Sequence, residues 1–328
     1  MNRPVSGYYG KLPVSPEFLR LHAAGPELRE LDEWFERGVQ YAKAKAGSEW
    51  SALLDQADIW NFLFVPEGDG RVVCGAVFAS RDQAGRSFPF LTFLLLERRD
   101  LPPTPCLIPL RCRAYLVKVG QLLQQLRGDL DWNTFRARVE SLPLEFDSDA
   151  SLEAEFDHYV SHTTTQVFWS RLCGEAGHTQ VDRLRQDRSG NRHPEGKQSG
   201  EGATWGHRFP LLKGQTAETH DLPFWLERHA RLLGVKKGAL PTLFAFWNRA
   251  PSKVEPCVLL SFGRSSPHLT RFIVSPDVQD EAWCDWLPKP VSPQESGSVS
   301  SSSCDSSMQA AYETNITLRQ YLDSCHEA

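Results

Sequence analysis

Apolar residues recur along the chain with two different periods, and the switches between them mark its elements. After a turn bracketed by Pro13 and Pro16, the residues Phe18, Leu19, Leu28, Leu31, Trp34, Phe35 and Val39 follow at spacings near three and four, which predicts an amphipathic helix. Gly38 and Gly47 punctuate the next helical stretch, where Trp50, Leu53 and Leu54 carry an apolar face up to Asp58. The pattern then turns β-like. Residues 59–65 (IWNFLFV) and 72–79 (VVCGAVFA) are short, aromatic and β-branched, and the link Gly68-Asp69-Gly70 between them predicts two antiparallel strands. Residues 88–97 add a third strand, whose unbroken apolar run requires burial on both faces of the sheet.

Residues 101–109 are proline-rich and read as extended. Helical spacing returns over 112–126 through Tyr115, Leu116, Val119, Leu122, Leu123 and Leu126, a block that covers the sheet. Shorter helices are predicted over 132–142 and 152–162, on either side of the acidic loop 145–149, while 166–172 fits strand and helix equally. Residues 174–206 are Gly-, Arg- and polar-rich with hardly any aliphatic side chains, which predicts a mobile surface insertion. Order returns at 205–212, followed by a helix over 222–233, a hairpin of strands 242–247 (TLFAFW) and 257–262 (CVLLSF), and a short closing helix over 267–273.

The expected organisation is one domain over 1–287, a Ser/Pro-rich linker over 288–307 that has nothing to bury, and a C-terminal segment over 308–328. In that segment Tyr312, Ile316, Arg319 and Leu322 share a helical stripe too short to be stable alone, so it docks back, stays disordered or binds a partner.

A hydrophobic share of 41%, with ten tryptophans, is enough for a packed core in 328 residues and rules out wholesale disorder. The net charge of -5 gives no electrostatic reason to seek nucleic acid or an anionic lipid surface. Eight dispersed cysteines without CxxC spacing predict reduced, structural thiols. The N-terminus shows no secretory signal, and the longest apolar run, 88–96, is half a membrane span interrupted by Pro89, so a cytoplasmic protein without membrane insertion is expected.

The candidate chemistry is sparse. His158 and His162 sit four apart on a predicted helix, but the zincin glutamate is missing between them, so a spaced surface pair is favoured over a metal site. Cys173 near His178 and Cys257 near His268 offer the residue types of a thiol hydrolase without the adjacency that catalysis needs. Gly196-Lys197-Gln198-Ser199 lacks phosphate-loop spacing, and the basic cluster around Arg183–Lys197 is diluted by Asp182, Asp187 and Glu195. No catalytic, cofactor or metal residues are therefore assigned. Arg81, Asp82 and Arg86 follow a core strand at a turn, where the two arginines suit bidentate pairing with a partner's carboxylates. The structural reading is that Asp82 accepts backbone N–H bonds, Gly85 supplies a positive φ and Arg86 closes onto a local carboxylate. Tyr8 and Tyr9, on a turn near Trp34 or Trp60 and beside Lys11, serve equally as interface anchors or as plugs at the sheet end.

Two segments carry a family resemblance: GYYGKLP at 7–13 and ASRDQAGRSFPF at 79–90. With Phe18, Asp32-Glu33-Trp34-Phe35, Gly38, Trp50 and Ile59-Trp60-Asn61-Phe62 between them, residues 6–90 resemble the bacterial type VI secretion-associated TagF family. That family typically opens on an aromatic-Gly-Lys-Leu-Pro turn and later carries Ser-x-Asp-x-x-Gly-Arg-x-Phe-Pro. The chain departs from it at Val14-Ser15-Pro16-Glu17-Phe18, where an Arg-Gly-Asp-Phe-like turn is usual, and at Ala79-Ser80-Arg81-Asp82, where Pro-Ser-Val-Asp is usual. The resemblance implies a single α/β domain with a mixed, largely antiparallel sheet covered by helices on both faces, plus a flexible C-terminal tail. It also implies a non-enzymatic cytoplasmic regulator that represses or tunes secretion after translation by binding an apparatus component such as an FHA-domain scaffold. Tyr8, Tyr9, Lys11, Trp34, Trp60, Arg81, Asp82 and Arg86 are its candidate partner-binding residues. A hydrolase with a Cys/His site and a structural adaptor of the same apparatus are the alternatives.

Overall fold

The structure, a computed structural model, describes residues 4–173, 206–287 and 315–326, apart from positions 129, 143, 216–217, 233, 237–238, 240, 249–251, 253, 263–266, 277–282 and 286. The predicted insertion and the Ser/Pro-rich linker lie outside these residues, apart from Gly206, which opens a strand.

Among the described residues, nine strands form one sheet: β1 (Val5–Gly10), β2 (Leu19–Leu21), β3 (Ile59–Val65), β4 (Val72–Phe78), β5 (Phe90–Leu96), β6 (Gly206–Pro210), β7 (Leu243–Trp247), β8 (Cys257–Phe262) and β9 (Trp283–Asp285). Their order is β2-β1-β5-β4-β3-β7-β8-β6-β9, and each pairing is antiparallel except that of β6 with β9. The hairpin of β3 and β4 and the third strand β5 stand where the apolar pattern put them, and β7 and β8 form the second hairpin. The two hairpins merge into one sheet because β3 also pairs with β7, from Asn61 opposite Trp247 to Val65 opposite Leu243.

The helices are α1 (Pro26–Ala46), α2 (Trp50–Gln56), α3 (Ile108–Arg111), α4 (Arg113–Arg127), α5 (Trp132–Glu140), α6 (Asp149–His162), α7 (Thr165–Cys173), α8 (Asp221–Leu232), α9 (His268–Val274) and α10 (Leu318–Asp323). Pro26 in the first turn of α1, Glu27 beside it and Lys43 and Lys45 in the last turn match the preferences of helix ends and of the helix dipole.

Three expectations need correction. The predicted first helix does not begin near Phe18: residues 19–21 pair with β1 as a short edge strand, and the helix starts at Pro26. The stretch GYYGKLP is not a turn through its tyrosines, because 5–10 form an interior strand between β2 and β5. Period-two alternation over six residues is too short to distinguish from a turn when two of them are glycine. Residues 101–109 are not extended throughout; a 3-10 turn over Pro105–Leu107 leads into α3, each with a proline in its first turn, where a missing N–H costs nothing. The undecided stretch 166–172 is helical, within α7.

Alternation along each strand sends side chains to two separate cores. Leu63, Val65, Cys74, Phe78, Leu94, Trp247 and Leu260 face the layer of α3 to α8 and α10, whereas Trp60, Phe62, Phe64, Val73, Phe93, Phe244 and Phe246 face α1 and α9. Trp34 of α1 is wholly buried in that second core, its ring 4.7 Å from Phe244 and 5.4 Å from Phe246. Trp60 is equally buried and donates its indole N–H to the Ile273 carbonyl of α9 at 3.1 Å. Trp34→Ala removes the knob that joins α1 to β7, and should lower stability by about 3–5 kcal/mol. Exposed Glu33→Ala on the same helix should stay within about 0.5 kcal/mol of the parent. Chemical denaturation of both variants checks the contrast.

Candidate functional site

The two segments that carry the family resemblance meet in space around one carboxylate. Strand β1 leaves the sheet at Gly10, whose φ of +134° and approach to Pro89 and Phe90 leave no room for a Cβ. The chain then turns through Leu12 to Ser15. Opposite it, residues 79–89 link β4 to β5 through a tight loop in which Asp82 N–H donates to the Arg86 carbonyl at 3.0 Å and Phe88 N–H to the Ser80 carbonyl at 3.0 Å. Gly85 holds a φ of +79° at the tip. Gln83 N–H donates to the Ser15 carbonyl at 3.1 Å, which sews the two turns together.

Asp82 sits at the centre with its side chain sealed from solvent. Its Oδ1 accepts the Ala84 N–H at 3.0 Å and the Arg86 N–H at 2.8 Å. Its Oδ2 accepts the Arg86 Nε–H at 2.7 Å and the Lys11 ammonium at 3.1 Å. Burial pushes the carboxyl pKa up, but the Arg86 amide and then the Lys11 and Arg86 side chains outweigh it and hold the group at about 2. Arg86 reaches on to the Pro16 carbonyl at the tip of the other turn. The structural reading of this turn therefore describes its internal bonds, and Lys11 joins the first segment to them.

Around this ion cluster lies an aromatic trio. Tyr9 and Phe18 stack at 5.2 Å, Phe88 meets both edge-on at 5.8 and 4.9 Å, and the Lys11 ammonium lies 4.9 Å from the Phe18 ring centroid. The Tyr9 hydroxyl donates to Asp32 of α1 at 2.7 Å, and burial together with that carboxylate raises its pKa well above the ordinary phenol value.

Of the eight sequence-derived candidates, Tyr9, Lys11, Asp82 and Arg86 come together here. The other four do not. Tyr8 points through the sheet to the opposite core, 5.1 Å from Trp132 and 6.1 Å from Phe90. Trp34 and Trp60 are wholly buried in the core against α1 and α9. Arg81 turns away to pair with Asp55 and Ser51 of α2. Of these, only Arg86 is largely exposed, with 60% of its side chain in solvent. Val14, on the turn beside it, is 57% exposed and was not singled out by sequence, because an apolar residue between two prolines carries no periodic signal.

The remaining candidates fall elsewhere in the fold. The His158 and His162 rings stack at 4.1 Å on the surface, and His162 Nδ1 engages the His158 carbonyl at 2.8 Å rather than a shared centre. Cys257 is buried in β8, whereas His268 lies against the Tyr41 hydroxyl at 3.1 Å. His207 is buried in β6 beside Phe209 and His229. His178, the Gly196–Ser199 stretch and the basic cluster lie outside the described residues. Among the described residues, no group of three or more His, Cys, Asp or Glu is placed to hold a metal ion, and no helix is long and apolar enough to cross a membrane.

The Asp82 cluster predicts a pH signature. A carboxyl whose folded pKa is depressed contributes stability in full above its unfolded value near 3.9, and loses it as pH falls toward 2. Asp82→Asn should cost about 2–4 kcal/mol at pH 7, since it leaves Lys11 and Arg86 without their shared anion. Thermal melts of parent and variant should converge between pH 4 and pH 2.

Residues 7–142 match the model of the TagF N-terminal domain, described as type VI secretion system-associated. The match runs from β1 to the end of α5 and contains the whole Asp82 cluster. No curated protein matches the chain in sequence. Among solved structures, PA0076 from Pseudomonas aeruginosa PAO1 is similar, at 16% identity and a TM-score of 0.49, over 88% of this chain and 99% of that one. Over residues 7–142, which carry the Gly-Lys-Leu-Pro and Asp-x-x-Gly-Arg-x-Phe-Pro segments, this chain is thus similar to the type VI secretion system-associated TagF N-terminal domain.

Proposed function

We propose that this protein is a non-enzymatic cytoplasmic accessory factor that restrains type VI secretion after translation, by binding an apparatus component such as an FHA-domain scaffold. The observation that carries the reading is the family match over residues 7–142. Its mechanism is occupancy: the domain binds the component in a state that does not assemble, and shifts the population by its differential affinity for that state.

Two buried thiols fit the non-catalytic part of the reading. Cys74, whose pKa is raised by a hydrogen bond with Cys112 and by burial, and Cys106, raised mainly by burial, are held in the poorly nucleophilic thiol form. Reactive cysteines need the opposite environment, electropositive and partly open.

The surface we assign to the partner is the outer edge of the Asp82 cluster, where the two family segments meet. Val14 and Arg86 stand in solvent on backbone that the cluster holds rigid, so a partner would meet them without an ordering cost. Among the described residues, Val14 and Val167 are the large apolar side chains that stand out in solvent, so a large greasy patch is not what the partner reads. An apolar anchor beside a guanidinium suits a carboxylate-bearing surface.

The test is titration of the purified FHA-domain scaffold from the same bacterium with the native chain and with Val14→Asp, paired with a secretion assay in cells overproducing each. The native chain should bind and lower secretion. The variant, which alters an exposed side chain outside the ion cluster, should melt like the parent but bind at least about tenfold more weakly, as expected for loss of an interface anchor. Equal binding by the two would move the surface elsewhere; no binding and unchanged secretion with either would sink the regulatory reading.

A further inference from the structure

The C-terminal segment is attached to the domain as a ligand would be. Among the described residues, all nine strands and the helices α1 to α9 come from before residue 288, and the segment adds only α10 to the layer over one face. Residues 315–326 then lie across a groove between α6, α7 and α8. They enter like an added strand: Thr317 bridges Thr164, Leu318 N–H donates to the Thr163 carbonyl at 2.8 Å, and Thr165 N–H donates to the Ile316 carbonyl at 2.9 Å. A capping box between Thr317 and Gln320 then starts α10.

Six helical residues do not hold a helix in water, so the segment is ordered by what it touches. Leu318, Tyr321, Leu322 and Cys325 are all buried on one stripe, at positions i, i+3, i+4 and i+7. At the floor of the groove the Tyr321 hydroxyl accepts the Arg228 Nε–H at 2.9 Å, with the Phe224 ring 6.1 Å from the tyrosine ring. The guanidinium of Arg228 is itself fully buried, so this is a shaped and charged seat, not a flat apolar face. Ion pairs close both rims, Arg319 with Asp157 and Arg231 with Asp323, the latter at 2.9 Å.

We propose that the groove between α6, α7 and α8 is a helix-binding site that the chain fills in cis with residues 315–326. Its exchange partner is a short capped helix of the same pattern supplied by another molecule: an apolar residue, then tyrosine three on, and apolar residues four and seven on. Such a helix displaces the segment and takes its place over Arg228. The site lies outside residues 7–142, so it stands apart from the partner surface assigned above. Tethering through residues 288–314 gives the segment an effective concentration of order 1 mM, which masks the groove against weak competitors and yields to strong ones.

The experiment uses the full chain with a specific protease site placed within residues 296–300, and a fluorescent peptide of residues 311–328 as probe. After cleavage and dilution the fragment should leave during gel filtration, while the rest keeps a cooperative melt within a few degrees of the parent. The emptied chain should then bind the peptide at least about 30-fold more tightly than the uncut chain does, since the tethered competitor is gone. A Leu318→Asp peptide should not bind. As a second route, the uncut chain carrying Leu318→Asp and Leu322→Asp should bind the native peptide as the emptied chain does. A fragment that never dissociates, or a remainder that unfolds once it is lost, would make the segment an integral part of the core and overturn the proposal. Equal peptide affinity for cut and uncut chains would overturn it as well.

Discussion

One buried carboxylate sets how the first 90 residues are joined. Asp82 is sealed from water and survives there only because two turn amides, a lysine and an arginine share its charge. Its partners come from both family segments, so Lys11 and Arg86 cannot both reach it unless β1, β5 and the loop between β4 and β5 are in their observed register. An unpaired buried ion is costly enough to make alternatives to that register unfavourable. Gly10 enforces the same arrangement sterically, because any side chain there would collide with Pro89.

This changes how the family's most recognisable residues are to be read. A Gly-Lys-Leu-Pro segment and a distant Asp-x-x-Gly-Arg-x-Phe-Pro segment invite the idea of a binding motif, yet most of their side chains are spent on one another. Lysine and aspartate pair, glycine and proline back onto each other, and the phenylalanine fills the aromatic trio with Tyr9 and Phe18. What is left exposed is part of the stretch where the sequence departs from the family pattern, at Val14, together with the outer side of Arg86.

Much of the sheet was legible in the sequence, because β3, β4, β5, β7 and β8 are dense apolar runs bounded by Gly, Pro and polar turns. Strand β1 was not, since its two glycines hide the alternation, and β2 was absorbed into the helix that follows because its apolar residues were joined to the series at Leu28 across a gap of nine positions. At the site, the turn chemistry of Asp82, Gly85 and Arg86 could be read from residue types alone. The pairing of Asp82 with Lys11 could not, being a contact across about 70 residues that local pattern does not encode. The same limit applies to Trp34 and Trp60: an aromatic residue reads identically whether it anchors an interface or fills a core, and only the packing of α1 on β7 decides.

The matched family segment also does not close its own core. It ends at residue 142, but β3, its last strand in sheet order, has its free edge filled by β7 from the later part of the chain. Trp34 lies on Phe244 and Phe246, and Trp60 is capped by the backbone of α9, so residues 243–274 complete the layer that α1 begins. Cut at residue 142, the segment would expose a seven-residue edge of unpaired N–H and C=O groups flanked by aromatic side chains, a surface prone to pair with other chains. The signature region is therefore a recognisable part of a larger cooperative unit. Val14 and Arg86 thus stand on a platform whose packing depends on residues far beyond the family match.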